Sequence, residues 1–171
     1  MTIGLKRGTV QLQQYDSNWA REFENEKKSL ESVFGAKILG IEHIGSTSVP
    51  GLAAKPIIDI IVAVRSFDEL SDFIAPLQKL GYEYMPERMF VDRKFFPKGP
   101  RENRTHHLNI VLKDDPEQWA SPIAFRDYLK THAATRQKYA ELKQQLAQTY
   151  HNDRAAYTAA KNDFIQSILQ K

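Results

Sequence analysis

Apolar residues recur along the chain at helical spacing, then in short unbroken runs, and at helical spacing again in the last third. From about Asn18 to Phe34, Trp19, Phe23, Leu30 and Val33 share one face, which predicts a helix. Lys37 to Ile44 reads as a strand, Gly45 to Pro56 as a polar turn, and Ile57 to Val64 as the most apolar strand of the chain. Ser66-Phe67-Asp68-Glu69 has the form of a capping box, opening a helix that carries Leu70, Phe73, Ile74, Leu77 and Leu80. Pro76 should kink or split that helix, and Gly81 should end it. Two β segments follow, Tyr82 to Met85 and Met89 to Phe96, then a Gly99-Pro100 break and a strand from His106 to Leu112. Asp115-Pro116-Glu117-Gln118 reads as an N-cap, a first-turn proline and a capping-box glutamine. The rest is helical, with interruptions near Ser121-Pro122, near His132 and at Asn152-Asp153. Tyr139, Leu142, Leu146 and Tyr150 form one stripe and Tyr157, Phe164, Ile165 and Ile168 another, as core-facing helices do. The order is a helix, mixed strands with one crossover helix, and a helical C-terminal third.

A length of 171 residues suits a single domain over 1–171, large enough to bury a real core. Cysteine is absent, which excludes disulfides, thiolate metal sites and a cysteine nucleophile. Met1 to Val10 lacks the apolar core of a signal peptide, and no apolar run reaches the ~20 residues that span a bilayer, so a cytoplasmic protein without membrane partners is expected. The net charge of +3 suggests no particular partner, but its distribution does. Between Arg88 and Arg104 six basic residues stand against Asp92 and Glu102, a local +4. That segment reads either as a solvated hairpin or as an anion-facing loop.

Within Ile57 to Val64 only Asp59 is polar. A run apolar on both faces suits a central strand, and a carboxylate there needs a hydrogen bond, a proton or a cation. Upstream, Gly45-Ser46-Thr47-Ser48 can form a tight turn that presents N–H groups to phosphate oxygens. No Walker-type Gly-Lys-Ser/Thr, no dinucleotide Gly-x-Gly-x-x-Gly and no Gly-x-Ser-x-Gly elbow occurs.

The seventeen residues from His43 to Asp59, His-Ile-Gly-Ser-Thr-Ser-Val-Pro-Gly-Leu-Ala-Ala-Lys-Pro-Ile-Ile-Asp, resemble the signature of the GrpB family. The resemblance continues through Tyr15-Asp16 with Trp19 and Phe23, Thr105-His106-His107-Leu108, Phe125-Arg126-Asp127-Tyr128-Leu129, and the spacing of Tyr157, Lys161, Phe164 and Ile165. It implies an α/β (α+β) nucleotidyltransferase-like fold, a mixed sheet flanked by helices, related to DNA polymerase beta and antibiotic-modifying transferases. Some members of the family are fused to dephospho-CoA kinase.

In that superfamily a Gly-Ser turn precedes a strand bearing Asp-h-Asp/Glu, where h is apolar; the period-2 spacing sets two carboxylates on one face to hold two metal ions. Gly45-Ser46 and Asp59 match, but Ile61 fills the second acidic position, and His107, Asn109 and Val111 on the expected neighbouring strand supply no carboxylate. The resemblance implies a nucleotide-binding protein with metal-dependent nucleotidyl transfer in view, Asp59 and His107 at its centre and Mg²⁺ or Mn²⁺ as cofactor. Asp59, His43 and His107 are the candidate metal ligands. Gly45, Ser46, Thr47, Ser48, Lys55, Arg93, Lys94 and Arg104 are the candidate phosphate ligands. Each has a plainer alternative: a self-satisfied turn, a structural carboxylate, a half-buried histidine, a solvated cation. The competing reading is a degenerate, non-catalytic module that binds a ligand or a protein partner, for example one linked to CoA biosynthesis. RNA binding through the basic segment is a third and weaker one.

Overall fold

A computed structural model describes residues 3–170; Met1, Thr2 and Lys171 lie outside the described residues, and with them the first two positions of the Met1 to Val10 segment read above. Helix α1 (Asn18–Phe34) begins where the Asn18 amide donates to Asp16 Oδ1 at 2.9 Å. Strand β1 (Gly40–Ile44) follows; the expected first residues of that strand, around Lys37, instead close a tight 3₁₀ turn, Gly35–Lys37. Strand β2 (Ile58–Val64) and helix α2 (Leu70–Lys79) come next.

The Ser66 capping box is not formed. Ser66 Oγ donates to Asp68 Oδ2 at 3.0 Å, so these two side chains satisfy one another and the helix starts only at Leu70. Pro76 does not split α2 either: the helix runs on to Lys79, because the carbonyl deprived of its partner is that of solvent-exposed Asp72. Gly81, at φ +89°, ends it as expected, with Tyr82 N–H donating to Leu77 O at 3.0 Å.

The two β segments after Gly81 are shorter than expected. Tyr82 makes only an isolated bridge to Lys98, Pro86–Arg88 is a 3₁₀ turn, and strand β3 occupies Arg93–Lys98. Strand β4 (His106–Leu112) stands as expected. Asp115 caps the next helical segment, Oδ1 accepting from the amides of Glu117 and Gln118 at 2.9 and 3.0 Å. Gln118 does not close the box; its Oε1 lies 3.4 Å from an Arg93 nitrogen. A π-helical turn, Pro116–Ala120, leads into α3 (Ser121–Thr131), then α4 (Ala133–Thr149), α5 (Arg154–Ala159) and α6 (Asn162–Leu169).

The sheet order is β1-β2-β4-β3, with β2 and β4 parallel and both outer pairs antiparallel. Registers divide the side chains between two faces. Ile58, Ile60, Val62 and Val64 of β2, with Leu108 and Ile110 of β4, pack against Trp19, Leu30 and Phe34 of α1 and Phe73 and Leu77 of α2. Asp59, Ile61 and Ala63 face the other way, toward the C-terminal helices. There a second apolar cluster joins Val49 and Leu52, from the turn after β1, to Leu129, Tyr139 and Ile168. The site lies between these two cores. Among the described residues no helix is long and apolar enough to cross a membrane.

Candidate functional site

Asp59 and His107 are register partners on β2 and β4, so both project from the same face. His107 Nδ1 lies 2.9 Å from Asp59 Oδ1. Gly45 closes the other side of the carboxylate. It adopts φ +71° and ψ −174°, and a Cβ there would stand 2.6 Å from Asp59 Oδ2. Such a backbone conformation is essentially restricted to glycine. The Gly-Ser turn is therefore built against the carboxylate, and the turn and strand are one structural unit.

The remaining turn residues divide. Ser46 lines a cleft of about 470 Å³. Thr47 Oγ1 lies 2.9 Å from His43 Nε2 and 3.3 Å from Ile57 O, while Ser48 Oγ donates to Gly45 O at 2.5 Å. Those two hydroxyls hold the turn itself. His43 is not brought to Asp59. It pairs in register with Ile60, one residue out of phase with Asp59, so it points to the helix-covered face and stacks on Phe23 at 4.9 Å. Burial lowers its pKa to about 4, which leaves it neutral. His43, Asp59 and His107 thus do not converge, and among the described residues no three His, Asp or Glu side chains cluster to hold a metal ion.

Among the expected cations, Lys55 reaches the cleft, its Nζ 5.4 Å from the Tyr157 ring centre. Arg93 also lies on the Asp59 face, in an adjoining opening. Lys94, one residue on, faces the opposite side, donating to Phe90 O and lying over the Phe67 ring at 4.3 Å. Arg104 is a buried structural group that bonds Gly99 O and Glu83.

Sequence reasoning missed two main charges of the cleft, Lys143 and Arg154, and marked Lys161 only by its spacing from Tyr157. Lys143 and Lys161 each stand four residues after a tyrosine on a helix, and each ammonium lies over that ring, at 5.1 Å from Tyr139 and 4.4 Å from Tyr157. Arg154, the first residue of α5, lines the same cleft. Lys143 is 1% exposed, and its Nζ donates to Ala53 O. The available signal was positional: Lys143 interrupts the apolar stripe that Tyr139, Leu142 and Leu146 define.

These cations share little counter-charge. Burial, then Lys161 and Lys55, lowers the Lys143 ammonium to about 7. Burial and Arg154 lower Lys55 to about 8 against the pull of Asp59, and Lys161 falls to about 8, again chiefly by burial. Burial would raise the Asp59 carboxyl, but the hydrogen bond from His107, with Lys55 and Arg154, outweighs it and holds Asp59 ionised. Burial keeps His107 neutral, so Nδ1–H donates to the carboxylate. A two-metal arrangement does not fit this donor set. Ile61, at 2% exposure, occupies the second acidic position, and of the other charged groups lining the cleft with Asp59 all but Glu117, an exposed residue, are cations.

A mixed sheet with a Gly-Ser turn locked onto the Asp of a central strand defines a protein of nucleotidyltransferase-like fold. In agreement, the structure superposes on the Cid1 poly(U) polymerase, in a form bound to MgATP, with TM-score 0.54 and 11% identity over 79% of this chain and 44% of that one. The chain belongs to the GrpB family: the family model described as GrpB protein matches residues 9–171. It is 38% identical to UPF0157 protein YqkA of Bacillus subtilis over 92% of its own length and 46% of that protein. It is 35% identical to glutamate-rich protein GrpB of Alkalihalophilus pseudofirmus over 99% of each. The chain thus spans about half of the first relative and nearly all of the second. The crystal structure of GrpB from Enterococcus faecalis matches with TM-score 0.85 and 38% identity, over 94% of this chain and 95% of that one. A dephospho-CoA kinase of Mycolicibacterium paratuberculosis is 24% identical over 99% of this chain and 47% of the kinase.

Proposed function

We propose that the cleft beside Asp59 binds the polyphosphate of a nucleotide or nucleotide-like molecule. The observation that carries this reading is the convergence of Lys55, Lys143, Lys161 and Arg154 on one cleft. Burial first, and then their mutual repulsion, holds these ammonium groups below their ordinary pKa, and a polyanion offsets both by pairing with the charged forms. The same cleft has an apolar side, with Phe125, Leu129, Tyr157, Ile165 and Leu169, suited to the uncharged part of such a ligand. Asp59 is the carboxylate that would hold one Mg²⁺ or Mn²⁺ shared with the ligand's phosphates. Nucleotidyl transfer to an acceptor is the catalytic form of this reading. Ile61 favours the other form, a binding module without a second metal, and the dephospho-CoA kinase relatives make dephospho-CoA and CoA worthwhile ligands to try.

The test is a thermal-shift panel with the four NTPs, dephospho-CoA and CoA, each with Mg²⁺, Mn²⁺ or EDTA. A ligand at 100 times its dissociation constant adds about 2.7 kcal/mol, which moves Tm by roughly 5–10 °C in a chain of this size. The shift should vanish in Lys55→Ala/Lys161→Ala, and its metal-dependent part in Asp59→Asn. No shift with any ligand refutes nucleotide binding. Pyrophosphate release from an NTP with an acceptor extract separates the catalytic form from the binding form.

A further inference from the structure

A second opening, about 740 Å³, adjoins the lysine-lined cleft and shares Asp59, His107 and Arg154 with it. Its floor is the sheet face that carries Ile61, Asn109 and Val111. Arg7, Arg88, Arg93 and Arg154 line it, and Asp59 is the sole acidic side chain among the described residues that does. Of the four guanidiniums, only Arg93 has an acidic neighbour among the described residues within ion-pair reach, Asp92 at 3.5 Å. The Phe90 ring lies 4.9 Å from the Arg93 guanidinium, and Phe95 packs 5.3 Å from the His107 ring.

The two openings share Arg154 but differ in their other cations. The first relies on lysines that lose charge near neutral pH; the second relies on arginines, which stay charged and present a planar fork that grips phosphate by two hydrogen bonds. An arginine set over an apolar floor is suited to a terminal phosphate carried on a molecule that lies along the sheet. The shared Asp59, His107 and Arg154 place the inner ends of both openings together, so ligands bound in each would meet at the carboxylate.

We propose that this arginine-lined opening is a separate site for a second, phosphate-bearing ligand, held alongside the nucleotide with its phosphate on Arg88 and Arg93. The word "second" rests on the nucleotide reading of the first cleft; the site itself does not. Its phosphate belongs either to a small phosphorylated metabolite or to the 5′ end of a nucleic-acid strand.

Isothermal titration with ribose 5-phosphate and with a 5′-phosphorylated RNA trinucleotide, each beside its unphosphorylated counterpart, separates those sources. The expected result is that at least one phosphorylated probe binds tenfold or more tightly than its counterpart. Arg88→Ala/Arg93→Ala, at positions that bury little, should weaken that probe at least tenfold and leave ATP affinity within twofold. Lys55→Ala/Lys161→Ala should do the reverse. Failure of both probes to bind overturns the proposal, as does loss of probe binding in the lysine variant instead of the arginine variant. Exclusion of the probe by saturating ATP also overturns it, because the two openings would then be one site. Probe binding that depends on the arginines in a protein that never binds ATP would refute the nucleotide reading and leave this site standing.

Discussion

Gly45 and Gly51 offer a controlled measurement of how tightly the turn is fitted to Asp59. Both have positive φ, +71° and +77°, so an alanine at either is strained in the folded state. At Gly51 a Cβ would meet nothing within 4 Å, whereas at Gly45 it would meet Asp59 Oδ2 at 2.6 Å and Asp59 Cβ at 3.2 Å. Gly51→Ala should therefore show conformational strain alone, about 1 kcal/mol after the smaller entropy of the unfolded alanine chain is allowed for. Gly45 also has ψ −174°, a combination rarely tolerated outside glycine, which adds of order 1 kcal/mol. Displacing a carboxylate tied to His107 at 2.9 Å adds another hydrogen bond's worth, about 1 kcal/mol. Gly45→Ala should then cost about 3 kcal/mol. At roughly 2–4 °C per kcal/mol, calorimetry should show Tm falling by about 6–12 °C for Gly45→Ala and about 2–4 °C for Gly51→Ala. Equal losses at the two positions would refute the claim that the turn is built against the carboxylate.

Lys143→Met exchanges a buried ammonium for an apolar side chain of similar volume and should leave stability at pH 6 equal to or above wild type while weakening polyphosphate binding. The sign of the pH dependence follows from a folded pKa of about 7 against 10.5 in the unfolded chain: between those values only the unfolded state keeps the proton, so wild-type stability should rise with pH from 7 upward. In Lys143→Met that rise should be shallower, by at most about 1.4 kcal/mol per pH unit in urea titrations at pH 7, 8 and 9; an unchanged slope refutes the assignment. A polyanion returns the three lysines toward their ordinary pKa values, so binding should take up protons and weaken between pH 7 and 9, as titration in buffers of different ionisation enthalpy would show. On the opposite sheet face, Lys98 Nζ lies 2.7 Å from Glu26 Oε2, and Glu26 is 6% exposed. Glu26→Ala strands that ammonium and should destabilise the fold by about 3 kcal/mol in chemical denaturation, more than Glu26→Gln.

What the sequence made legible follows the range of each signal. Helix α1 and strands β2 and β4 were readable because a single contiguous pattern specifies them, and Asp59 because it is the one polar residue in β2. Lys37 and Met89 to Asp92 read as strand because they run without a turn signal into the true strands, although Lys37 closes the Gly35–Lys37 turn and β3 begins only at Arg93. His43 and Lys94 illustrate a second limit. Each is one residue out of phase with the face that matters, and the phase is fixed only when the register Ile44↔Asp59 and Arg93↔Val111 is known. Lys143, Arg154 and Lys161 lie about a hundred residues downstream of Asp59, so no pattern around them names the strand carboxylate they meet. The repeat of Tyr-x-x-x-Lys at Tyr139 and Tyr157 was the trace that the sequence did hold.

The replacement of an acidic position by Ile61 makes sense once Arg154 and Arg93 are in place, and the claim that they stand in for a second cation can be tested by restoring the carboxylate. Asp59 and Ile61 are two residues apart on one strand face, a separation of roughly 7 Å that a shared cation can bridge. Ile61 lines the arginine opening, so an aspartate there would open onto it and find guanidiniums nearby. Ile61→Asp should cost about 2–3 kcal/mol, since it removes a well-packed apolar side chain that is 2% exposed. If fixed guanidiniums already supply the positive charge, the new carboxylate pairs with them, and the single variant should titrate with Mn²⁺ no better than wild type. Removing Arg154 as well should then free the carboxylate pair, so Ile61→Asp/Arg154→Ala should bind Mn²⁺ at least tenfold more tightly than either single variant. Calorimetric titration on folded protein, with Ile61→Asn/Arg154→Ala as the uncharged control, reads this directly. If Ile61→Asp alone binds Mn²⁺ as tightly as the double variant, the arginines are not what keeps a second cation out, and the apolar position 61 by itself set the charge balance of the site.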